Sequence, residues 1–577
     1  MFQLFSPARF ESRLPEQAPN RWDWALMPLI LGVVVVVAFS ASQMSRPFEI
    51  GTPTEISLDP IYLPYYLMRT TMRMMLAMFC SLLFTFVFAY VASKYRAAEK
   101  VMIPMLDILQ SLPILGFQAI SVAPFIALFS GNLFGVECAA VFAIFTSQAW
   151  NMAFSLHQSM RTVPSELAEA ASIFRLSGWQ RFWRLELPYG MPGLLWNMMM
   201  SMSGGWFFIV AAEAISVANQ DIKLPGIGSY IAVANEQGNL KAIGWAIVAM
   251  VGGILLYDQL LFRPLLAWAD KFRFEENQGD TAQQSWLLDW LRRSRWTNAL
   301  TEKVWVKLQG SLGWFRRSYD GTSIRARQKP INPMVERVWD AVLAAAVMIA
   351  SWRLVVFIHS EVGWAEAGHV FMLGFATLTR VLILMALASA FWVPVAVWIG
   401  MRPKWAQRVQ AWAQLAAAFP TNLTFPVAAG LITYYHLNPS YWLSPLIIFG
   451  TQWYIVFNVV AGASTIPTEL RYVADNFGLS GWLKWKRFLL PAIFPSLVTG
   501  MITASGGSWN ASIVAELVTW HDKQLVATGL GAYIADMTAK GDFPRIALGM
   551  AVMSLFVIVL NRYVWRRLYT RAEQWAR

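Results

Sequence analysis

The chain has 577 residues, of which 57% are apolar and only 14% are charged, and its mean hydropathy is +0.45. Because soluble domains carry about a quarter charged residues, this composition excludes a soluble globular protein and predicts an all-α polytopic membrane protein. The formal net charge of +12 would suggest nucleic acid as a partner of a soluble chain. Basic cytoplasmic loops explain it here, so no nucleic-acid partner is expected. Cys80 and Cys138 lie in apolar runs, which excludes a disulfide framework and a cysteine metal site.

The N-terminal region is predicted to be a membrane anchor. Residues 1–23 form a predicted cytoplasmic segment, and residues 24–41 are apolar and long enough to span a bilayer. Ala38-Phe39-Ser40 could also be a cleavage site, so a signal peptide is the alternative. The long polar lead and the full-length apolar run favour an uncleaved anchor.

The remaining hydropathy pattern predicts two halves with six spans each, about twelve spans in total. After the first span, the predicted spans cover residues 64–93, 101–130, 137–160, 190–214, 241–262, 337–358, 366–400, 407–434, 441–463, 490–517 and 543–566. The first half is predicted to occupy 24–262 and the second half 336–566. An even number of spans makes the halves parallel repeats, which predicts a pathway between them.

Basic residues predict the orientation of the chain in the membrane. A basic linker without a spanning run covers residues 263–335, and a basic tail covers 567–577. Because positively charged loops stay in the cytoplasm, both segments and both termini are predicted to be cytoplasmic. Within the linker, Trp286 to Leu291 and Val304 to Trp314 are candidate amphipathic helices on the membrane surface, and a merely solvated linker is the alternative.

One polar segment occurs twice. Val163–Pro192, here called the first loop, aligns without a gap on Ile466–Pro495, the second loop, when the sequence is shifted by 303 positions. Pro164 and Pro467 suit the first turn of a helix, and the acidic residues that follow suit its positive end. Each copy lies between two apolar spans, so it is predicted to be a short helix at the water face, available to a soluble partner.

The two loops resemble the cytoplasmic coupling loop of ABC importer permeases, whose pattern is EAA, three residues, Gly, nine residues, a hydrophobic residue, one residue, Leu-Pro. In the first loop Glu169-Ala170-Ala171 and Leu187-Pro188 match, while Arg175 stands at the Gly position. In the second loop Gly478 and Leu490-Pro491 match, while Tyr472-Val473-Ala474 replaces EAA. Each half keeps what the other has lost, and this difference predicts unequal coupling.

Further segments resemble the nitrate, taurine and sulfonate class of these permeases. Asp107 to Phe117 looks like its proline-interrupted span. Gly226 to Ile231 and Gly529 to Ile534 are similar to its glycine-rich GlGyli segment, and they repeat at the same offset of 303. The resemblance covers most of both halves apart from the first span of each, the linker and the ends.

The resemblance implies a type I ABC importer permease with its two halves fused, in a bacterial inner membrane. It implies two ABC ATPase subunits, identical or different, and allows a periplasmic or lipid-anchored substrate-binding protein. The chain has no GxxxxGK[ST] loop, so ATP and Mg are expected to bind the partner subunit and no cofactor is expected in this chain. The five histidines are scattered, and we expect neither a metal site nor an enzyme.

Two sets of site residues follow. The candidates for ATPase coupling are Glu166, Glu169, Ala170, Ala171, Gly178, Glu469, Ala474, Gly478 and Gly481. The candidates for the solute pathway are Gln110, Trp206, Glu213, Trp509 and Glu516. Ionisable residues inside a membrane indicate function, although Glu213 and Glu516 are equally compatible with carboxylates at the membrane interface. Arg73 and Arg380 could attract an anion, but the favoured expectation is that they snorkel to outer headgroups.

Two other functions remain compatible with the sequence. An ion-coupled secondary transporter built from parallel repeats would need no ATPase, and the loops of docking type argue against it. A membrane scaffold or sensor could use the basic linker to bind partners, and solute uptake that depends on this chain would exclude it.

Overall fold

The computed structural model describes residues 55–111, 114–129, 131–217, 220–269, 285–293, 333–521 and 523–576, with scattered positions between 31 and 43. The predicted cytoplasmic segment 1–23, most of the first predicted span with its signal-peptide alternative, and most of the linker lie outside the described residues. Within the described residues, nine helices are long and apolar enough to cross a membrane, or ten if one bent pair counts as a span. The prediction of an all-α polytopic membrane protein is therefore confirmed.

The described part of the first half begins with a 3-10 turn at Pro60–Tyr62. Its helices are α1 (Leu63–Lys94), α2 (Arg96–Ser111), α3 (Ile114–Leu128), α4 (Phe134–Arg161), α5 (Ser165–Ile173), α6 (Gly178–Arg181), α7 (Leu187–Glu213), α8 (Ile227–Glu236), α9 (Leu240–Tyr257) and α10 (Arg263–Ala269). Strands β1 (Ala214–Val217) and β2 (Gln220–Lys223) form an antiparallel hairpin between α7 and α8. In the linker, α11 covers Trp286–Arg293 and packs against α10.

The second half repeats this order. Its helices are α12 (Pro333–His359), α13 (Trp364–Gly400), α14 (Pro403–Ala418), α15 (Phe425–Tyr434), α16 (Pro439–Trp442), α17 (Ser444–Phe449), α18 (Gln452–Ser464), α19 (Thr468–Asn476), α20 (Gly481–Lys484), α21 (Leu490–Ala515), α22 (Leu530–Lys540), α23 (Phe543–Leu560) and α24 (Arg566–Ala576). Strands β3 (Leu517–Trp520) and β4 (Lys523–Val526) form its hairpin. The two hairpins lie 303 positions apart in the sequence. The all-α fold predicted from the sequence included neither of them.

Two predicted spans are interrupted in the structure. The predicted span 101–130 is occupied by the separate helices α2 and α3. The predicted span 407–434 is a pair of helical segments bent by 74°. Proline explains the second break, because Pro420 lies between the two segments and lacks the N–H that a continuous helix needs. The other predicted spans that fall on described residues each coincide with one candidate span, although the span at 441–463 consists of the three consecutive helices α16, α17 and α18.

The two halves exchange their interrupted spans. Helices α2 and α3 of the first half pack against α21, α22 and α23 of the second half. In return, α14 and the 3-10 turn Thr421–Thr424 pack against α7, and α14 also contacts α9. The exchange is held by hydrogen bonds: the Ile114 N–H donates to Asn510 Oδ1 at 2.7 Å, and Asn422 Nδ2 donates to the Phe207 carbonyl at 3.1 Å. Each half is therefore completed by a segment of the other.

Candidate functional site

The first loop forms the short helix α5 between α4 and α6. Pro164 precedes it in an extended conformation, and Glu166 lies in its first turn, where a carboxylate complements the positive helix end. Glu169 is also exposed, whereas Ala171 is buried. Small residues let a helix pack closely, so this helix rests on its own half with one face and offers its acidic face to the outside.

Both short helices end in the same C-terminal turn. In the second loop the Leu479 N–H donates to the Ala474 carbonyl at 3.1 Å, and the first loop forms the equivalent bond. This Schellman pattern needs a left-handed residue before the donor. Gly478 fills that position with φ +65°, and Arg175 fills it with φ +50°. The replacement of the motif glycine by arginine therefore keeps the backbone path but places a side chain in a conformation that costs about 1–2 kcal/mol.

The same tryptophan has opposite surroundings in the two loops. The Trp179 ring lies 5.5 Å from the Tyr90 ring and 5.6 Å from the Trp183 ring, both in edge-to-face geometry. Its counterpart Trp482 is 78% exposed. The difference follows from the neighbours, because Lys486 stands where the first half has Trp183. The first loop is therefore fixed to its own half by aromatic packing, and the second loop presents its tryptophan outward.

The helix that follows each loop also starts differently. In the first half a capping box opens α6 at Gly178: Ser177 Oγ accepts from the Gln180 N–H at 3.2 Å, and Gln180 Oε1 accepts from the Ser177 N–H at 3.1 Å. In the second half Leu483 stands at the glutamine position and cannot complete a box, and Gly481 adopts φ +52°. Since caps stabilise helix ends by about 1 kcal/mol, the second loop is the more loosely held of the two.

The second loop also exposes the larger apolar surface. Its exposed apolar side chains are Leu470, Tyr472, Val473, Phe477, Trp482 and Leu483, whereas the first loop exposes Ile173 and Phe174. Contiguous exposed apolar residues mark interaction surfaces on proteins. The second loop is therefore the stronger candidate for an apolar contact, and the first loop offers mainly its acidic face.

Each loop is joined without a break to a long span. A π-helical turn connects α6 to α7 at Phe182–Glu186, and another connects α20 to α21 at Trp485–Leu489. The two turns occupy equivalent positions, as an offset of 303 requires. A force applied to either loop therefore reaches the far end of a membrane-spanning helix.

A buried carboxylate lies at that far end in the first half. Glu213, the last residue of α7, is fully buried and accepts hydrogen bonds from Thr70 Oγ1 and Arg73 Nη1 at 2.7 Å each. Its other oxygen accepts from the Gly228 N–H at 2.7 Å, and the Ile227 N–H donates to Thr70 Oγ1 at 3.0 Å. We call this arrangement the first clamp, because it ties α1, α7 and the start of α8 together.

A second ion pair reinforces the first clamp. Arg73 Nε lies 2.5 Å from Glu137 Oε2, and Arg69 Nη2 lies 2.5 Å from Glu137 Oε1. Two guanidinium groups and two carboxylates thus share one buried site, with Glu213 as the fourth member. Buried ions are tolerated only when they are paired and hydrogen-bonded, and this network meets both conditions.

The second half contains a simpler version of the same clamp. Glu516 accepts from Thr377 Oγ1 at 2.8 Å and from the Gly531 N–H at 2.7 Å, and it pairs with Arg380. The Leu530 N–H donates to Thr377 Oγ1 at 2.9 Å. The threonine, arginine, glutamate and glycine therefore repeat in both halves, whereas Arg69 and Glu137 have no charged counterparts.

The clamps explain the repeated glycine-rich segments. A Cβ atom added to Gly226 or Gly529 would overlap the carboxylate of Glu213 or Glu516. Both glycines are in extended backbone with φ close to 180°, so they are required by space and not by backbone conformation. The glycine pattern thus records the close approach of a helix start to a buried carboxylate.

Equivalent tyrosines fix the same helices a second time. Tyr230 of α8 donates to the Leu58 carbonyl at 2.9 Å, and Tyr533 of α22 donates to Glu366 Oε1 at 3.1 Å. Burial raises the pKa of both phenols, so each remains a neutral hydrogen-bond donor. Helices α8 and α22 are therefore anchored at the clamp and again one turn later.

The five pathway candidates lie in three kinds of surroundings. Gln110 is exposed and donates to Asn151 Oδ1 at 2.9 Å. Trp206 and Trp509 are buried, Trp206 against the Tyr257 ring and Trp509 against the Phe556 ring. Glu213 and Glu516 are the acceptors of the clamps. The assignment of these residues to a pathway stays a prediction, and in this conformation both glutamates hold helices together.

The clamps were not predicted as such from the sequence. Arg73 and Arg380 were expected to snorkel to headgroups, and Glu213 and Glu516 were named as pathway candidates. Arg73 is instead fully buried and bonded to two glutamates. The pair Thr70 and Thr377 would have been the missing signal, because it repeats at the offset of the arginines, three residues before each one. Among the described residues, no group of three or more His, Cys, Asp or Glu could hold a metal ion.

Comparison with known proteins agrees with this architecture. The family described as binding-protein-dependent transport system inner membrane component matches residues 64–261 and again 381–568. The two matches cover more than half of the chain, one in each half.

Individual relatives match one half at a time. The nitrate import permease protein NrtB of Leptolyngbya laminosa is 26% identical over 219 residues, which are 38% of this chain and 74% of that protein. The bicarbonate transport system permease protein CmpB of Synechococcus elongatus is 26% identical over 190 residues, or 33% of this chain and 65% of that protein. The osmoprotectant import permease protein OsmY of Salmonella typhimurium is 26% identical over 107 residues, or 18% of this chain and 42% of that protein.

The family match in both halves confirms the resemblance drawn from the two loops and the glycine-rich segments. The alignment with the nitrate import permease protein covers about three quarters of that protein but little over a third of this chain. That relative therefore corresponds to one half of the chain. The chain therefore belongs to the inner-membrane component family of binding-protein-dependent transport systems, with two copies of the permease unit fused.

Proposed function

We propose that this chain is the permease subunit of an ATP-driven importer, in which separate ATPase subunits bind the first and second loops and a solute passes between the two halves. One observation carries the proposal. Each loop exposes a surface suited to a partner, and each is continuous with a span that ends in a buried clamp. That continuity provides a mechanical link from a soluble motor to the membrane-spanning helices.

Because of the clamps, we expect the helices that they join to move as rigid bodies when an ATPase acts on the loops. When an ATPase pulls on the first loop, α7 moves, and the paired charges at Glu213 carry α1 and the start of α8 with it. Glu516 does the same for α13, α21 and α22. Packed and ion-paired units move as bodies more easily than they deform, which is the usual basis of alternating access.

The two ATPase contacts are expected to differ in kind. The first loop offers an acidic helix that aromatic packing fixes in place, and the second offers exposed aromatic residues, among them Trp482. A homodimeric ATPase would have to accept two different surfaces, whereas two different ATPase subunits could each match one. The asymmetry is compatible with both, and binding to isolated loops distinguishes them.

The solute is proposed to be small and polar or anionic. The relatives named above are permeases for nitrate, bicarbonate and osmoprotectants, and the glycine-rich segments resemble those of the nitrate, taurine and sulfonate class. The family description supports an inner-membrane location and a binding protein as partner. The basic linker and tail support cytoplasmic termini. ATP hydrolysis belongs to the partner subunits, so this chain itself is not an enzyme.

Copurification tests the proposal. The full chain would be purified from its native host in a mild detergent, and its partners identified by mass spectrometry. We expect a stoichiometric subunit with a phosphate-binding loop that is lost when the exposed apolar residues of the second loop are replaced by serine. A matched variant with serine at Tyr434, Tyr435 and Tyr441, which are equally exposed but lie outside both loops, should keep it.

An ion-coupled transporter is the alternative that this experiment can favour. If the chain is pure under several mild conditions, and reconstituted vesicles take up solute when an ion gradient is imposed without ATP, the ATP-driven proposal is wrong. The clamps would then serve an ion-driven cycle.

A further inference from the structure

One arginine of the second loop points into the protein. In α19, the residues from Glu469 to Asn476 are exposed except for Arg471 and Ala474. These two lie three positions apart and therefore share one face of the helix. Ala474 is buried, and the Nε atom of Arg471 is enclosed as well. Arg471 is thus the long side chain with which α19 reaches its own half, while its neighbours form the exposed surface that we assign to the ATPase.

The guanidinium group of Arg471 lies at the ends of two spans. Its Nη1 atom donates to the Met401 carbonyl at 3.4 Å, and its Nη2 atom donates to the Ala463 carbonyl at 3.2 Å. Met401 caps the C-terminal end of α13, and Ala463 lies in the last turn of α18. Carbonyl groups at a helix C-terminus lack partners within the helix and carry partial negative charge, so they attract a cation. Arg471 therefore joins α19 to both spans.

The two spans also meet at this place. A Cβ atom added to Gly400 would overlap Ala463 Cβ and the Val460 carbonyl, so α13 and α18 are in close contact at their ends. The guanidinium group of Arg471 bonds to one residue of this crossing and to the residue after Gly400. A force on α19 therefore reaches both helices through one side chain.

The first loop is tied to its half by a different chemistry. There Trp179 packs on Tyr90 of α1. When α1 is aligned on α13 by their clamp residues, Val397 stands at the position of Tyr90, so the second half cannot form this aromatic contact. Conversely, Ala168 of the first loop stands at the position of Arg471 and is too short to reach a helix end. Each loop is thus connected to the helix that carries the arginine of its clamp, by aromatic rings in one half and by a cation in the other.

We propose that Arg471 is a positioning residue for coupling, which ties the second loop to α13 as well as to α21. Helix α21 follows the loop in the chain, and its far end is bonded through Glu516 to Thr377 of α13. With Arg471 at the near end, α13 and α21 are joined at both ends and move as one body. The inference rests on the proposed function, because the motion that Arg471 transmits is the one that the ATPase imposes on the second loop.

The distance between two spin labels measures this motion without knowledge of the solute. One label would be attached at Trp364→Cys, at the start of α13, and the other at Leu240→Cys, at the start of α9, because both side chains are exposed. Cys80 and Cys138 would first be replaced by alanine. The full chain, purified together with its ATPase, would be measured with and without ATP and vanadate, which hold the ATPase in its closed state. We expect ATP and vanadate to change the distance between the labels.

Three variants of the labelled chain then test Arg471. Arg471→Ala should reduce the distance change about twofold, since the Glu516 clamp still carries α13, and should leave the amount of copurified ATPase unchanged. Arg471→Lys keeps a cation beside the two carbonyls and should retain most of the distance change. Arg402→Ala is the matched control and should retain all of it. Arg402 follows Met401 directly, but it donates to the Trp398 carbonyl of its own helix at 2.8 Å.

Three results overturn the proposal and leave the proposed function intact. An unreduced distance change in Arg471→Ala would mean that α13 moves without this side chain. Loss of the ATPase from Arg471→Ala would mean that Arg471 shapes the docking surface instead. A distance change as small in Arg471→Lys as in Arg471→Ala would mean that attraction to the carbonyls does not transmit the motion. If no ATPase copurifies even with the unaltered chain, the proposed function is wrong, and this inference with it.

Discussion

The clamp of the second half can be broken by one methyl group. In Gly529→Ala, the new Cβ atom overlaps the Glu516 carboxylate, which must retreat by about 1 Å to restore normal contact. At that distance the carboxylate no longer accepts from both Thr377 and Gly531, whose present distances are 2.8 Å and 2.7 Å. Hydrogen bonds to a charged group contribute about 1.5–3 kcal/mol each, so the loss of these two should be about 3–6 kcal/mol.

Thermal stability of the full chain measures this loss. Detergent-solubilised protein would be heated, and the fraction that remains monodisperse recorded against temperature. Gly529→Ala should lower the midpoint by several degrees, and Gly226→Ala should do the same in the first half. Gly506→Ala is the matched control, because a Cβ at this helical glycine meets nothing within 4 Å and should stabilise by about 0.5–1 kcal/mol.

A double-mutant cycle separates the clamp from general crowding. In a Glu516→Ala background the obstructing carboxylate is gone, so the further change Gly529→Ala should cost almost nothing. The reasoning is refuted if Gly529→Ala is as stable as the unaltered chain, or if its cost is the same with and without Glu516.

Three further predictions concern the loops. Trp482→Ala should weaken copurification of the ATPase without changing thermal stability, whereas Trp179→Ala should lower stability by about 2 kcal/mol because it removes aromatic packing. Arg175→Gly should relieve about 1 kcal/mol of backbone strain, and hydrogen exchange of the amides at the end of α5 should slow about fivefold. Glu169→Lys and Glu469→Lys should cause unequal losses of solute-stimulated ATP hydrolysis in the assembled complex, because the two loops expose different surfaces.

Specific results would contradict each of these. Equal effects of the two tryptophan changes on stability would mean that Trp482 packs on the protein in solution. Faster exchange in Arg175→Gly would show that the arginine side chain stabilises the turn. Equal losses from the two charge reversals would argue for equivalent docking of the two loops.

The sequence predicted the loops well because they repeat without a gap. An offset of 303 aligns Pro164 with Pro467 and the two π-helical turns with each other, so one comparison located them in the chain. The Schellman turns could not be predicted in the same way. Arg175 in the position of Gly478 suggests a broken motif in the sequence, but the backbone adopts the same left-handed conformation in both.

The clamps were missed because their members do not share one offset. Glu213 and Glu516 are separated by 303 positions, whereas Arg73 and Arg380 are separated by 307. Glu137 has no partner in the repeat, so duplication alone could not reveal it. The surroundings of Trp179 and Trp482 were equally hidden, since identical residues owe their different exposure to neighbours elsewhere in the chain.

The contacts between the halves determine whether one half could pair with a second copy of itself. Asn510 secures one crossing point and Asn422 the other, but the symmetry-related position of Asn510 is Phe207, and that of Asn422 is Leu115. Both asparagines belong to the second half, and the first half contributes only the Ile114 N–H and the Phe207 carbonyl. Two copies of the first half would therefore lack both side-chain hydrogen bonds, so the two halves are not interchangeable.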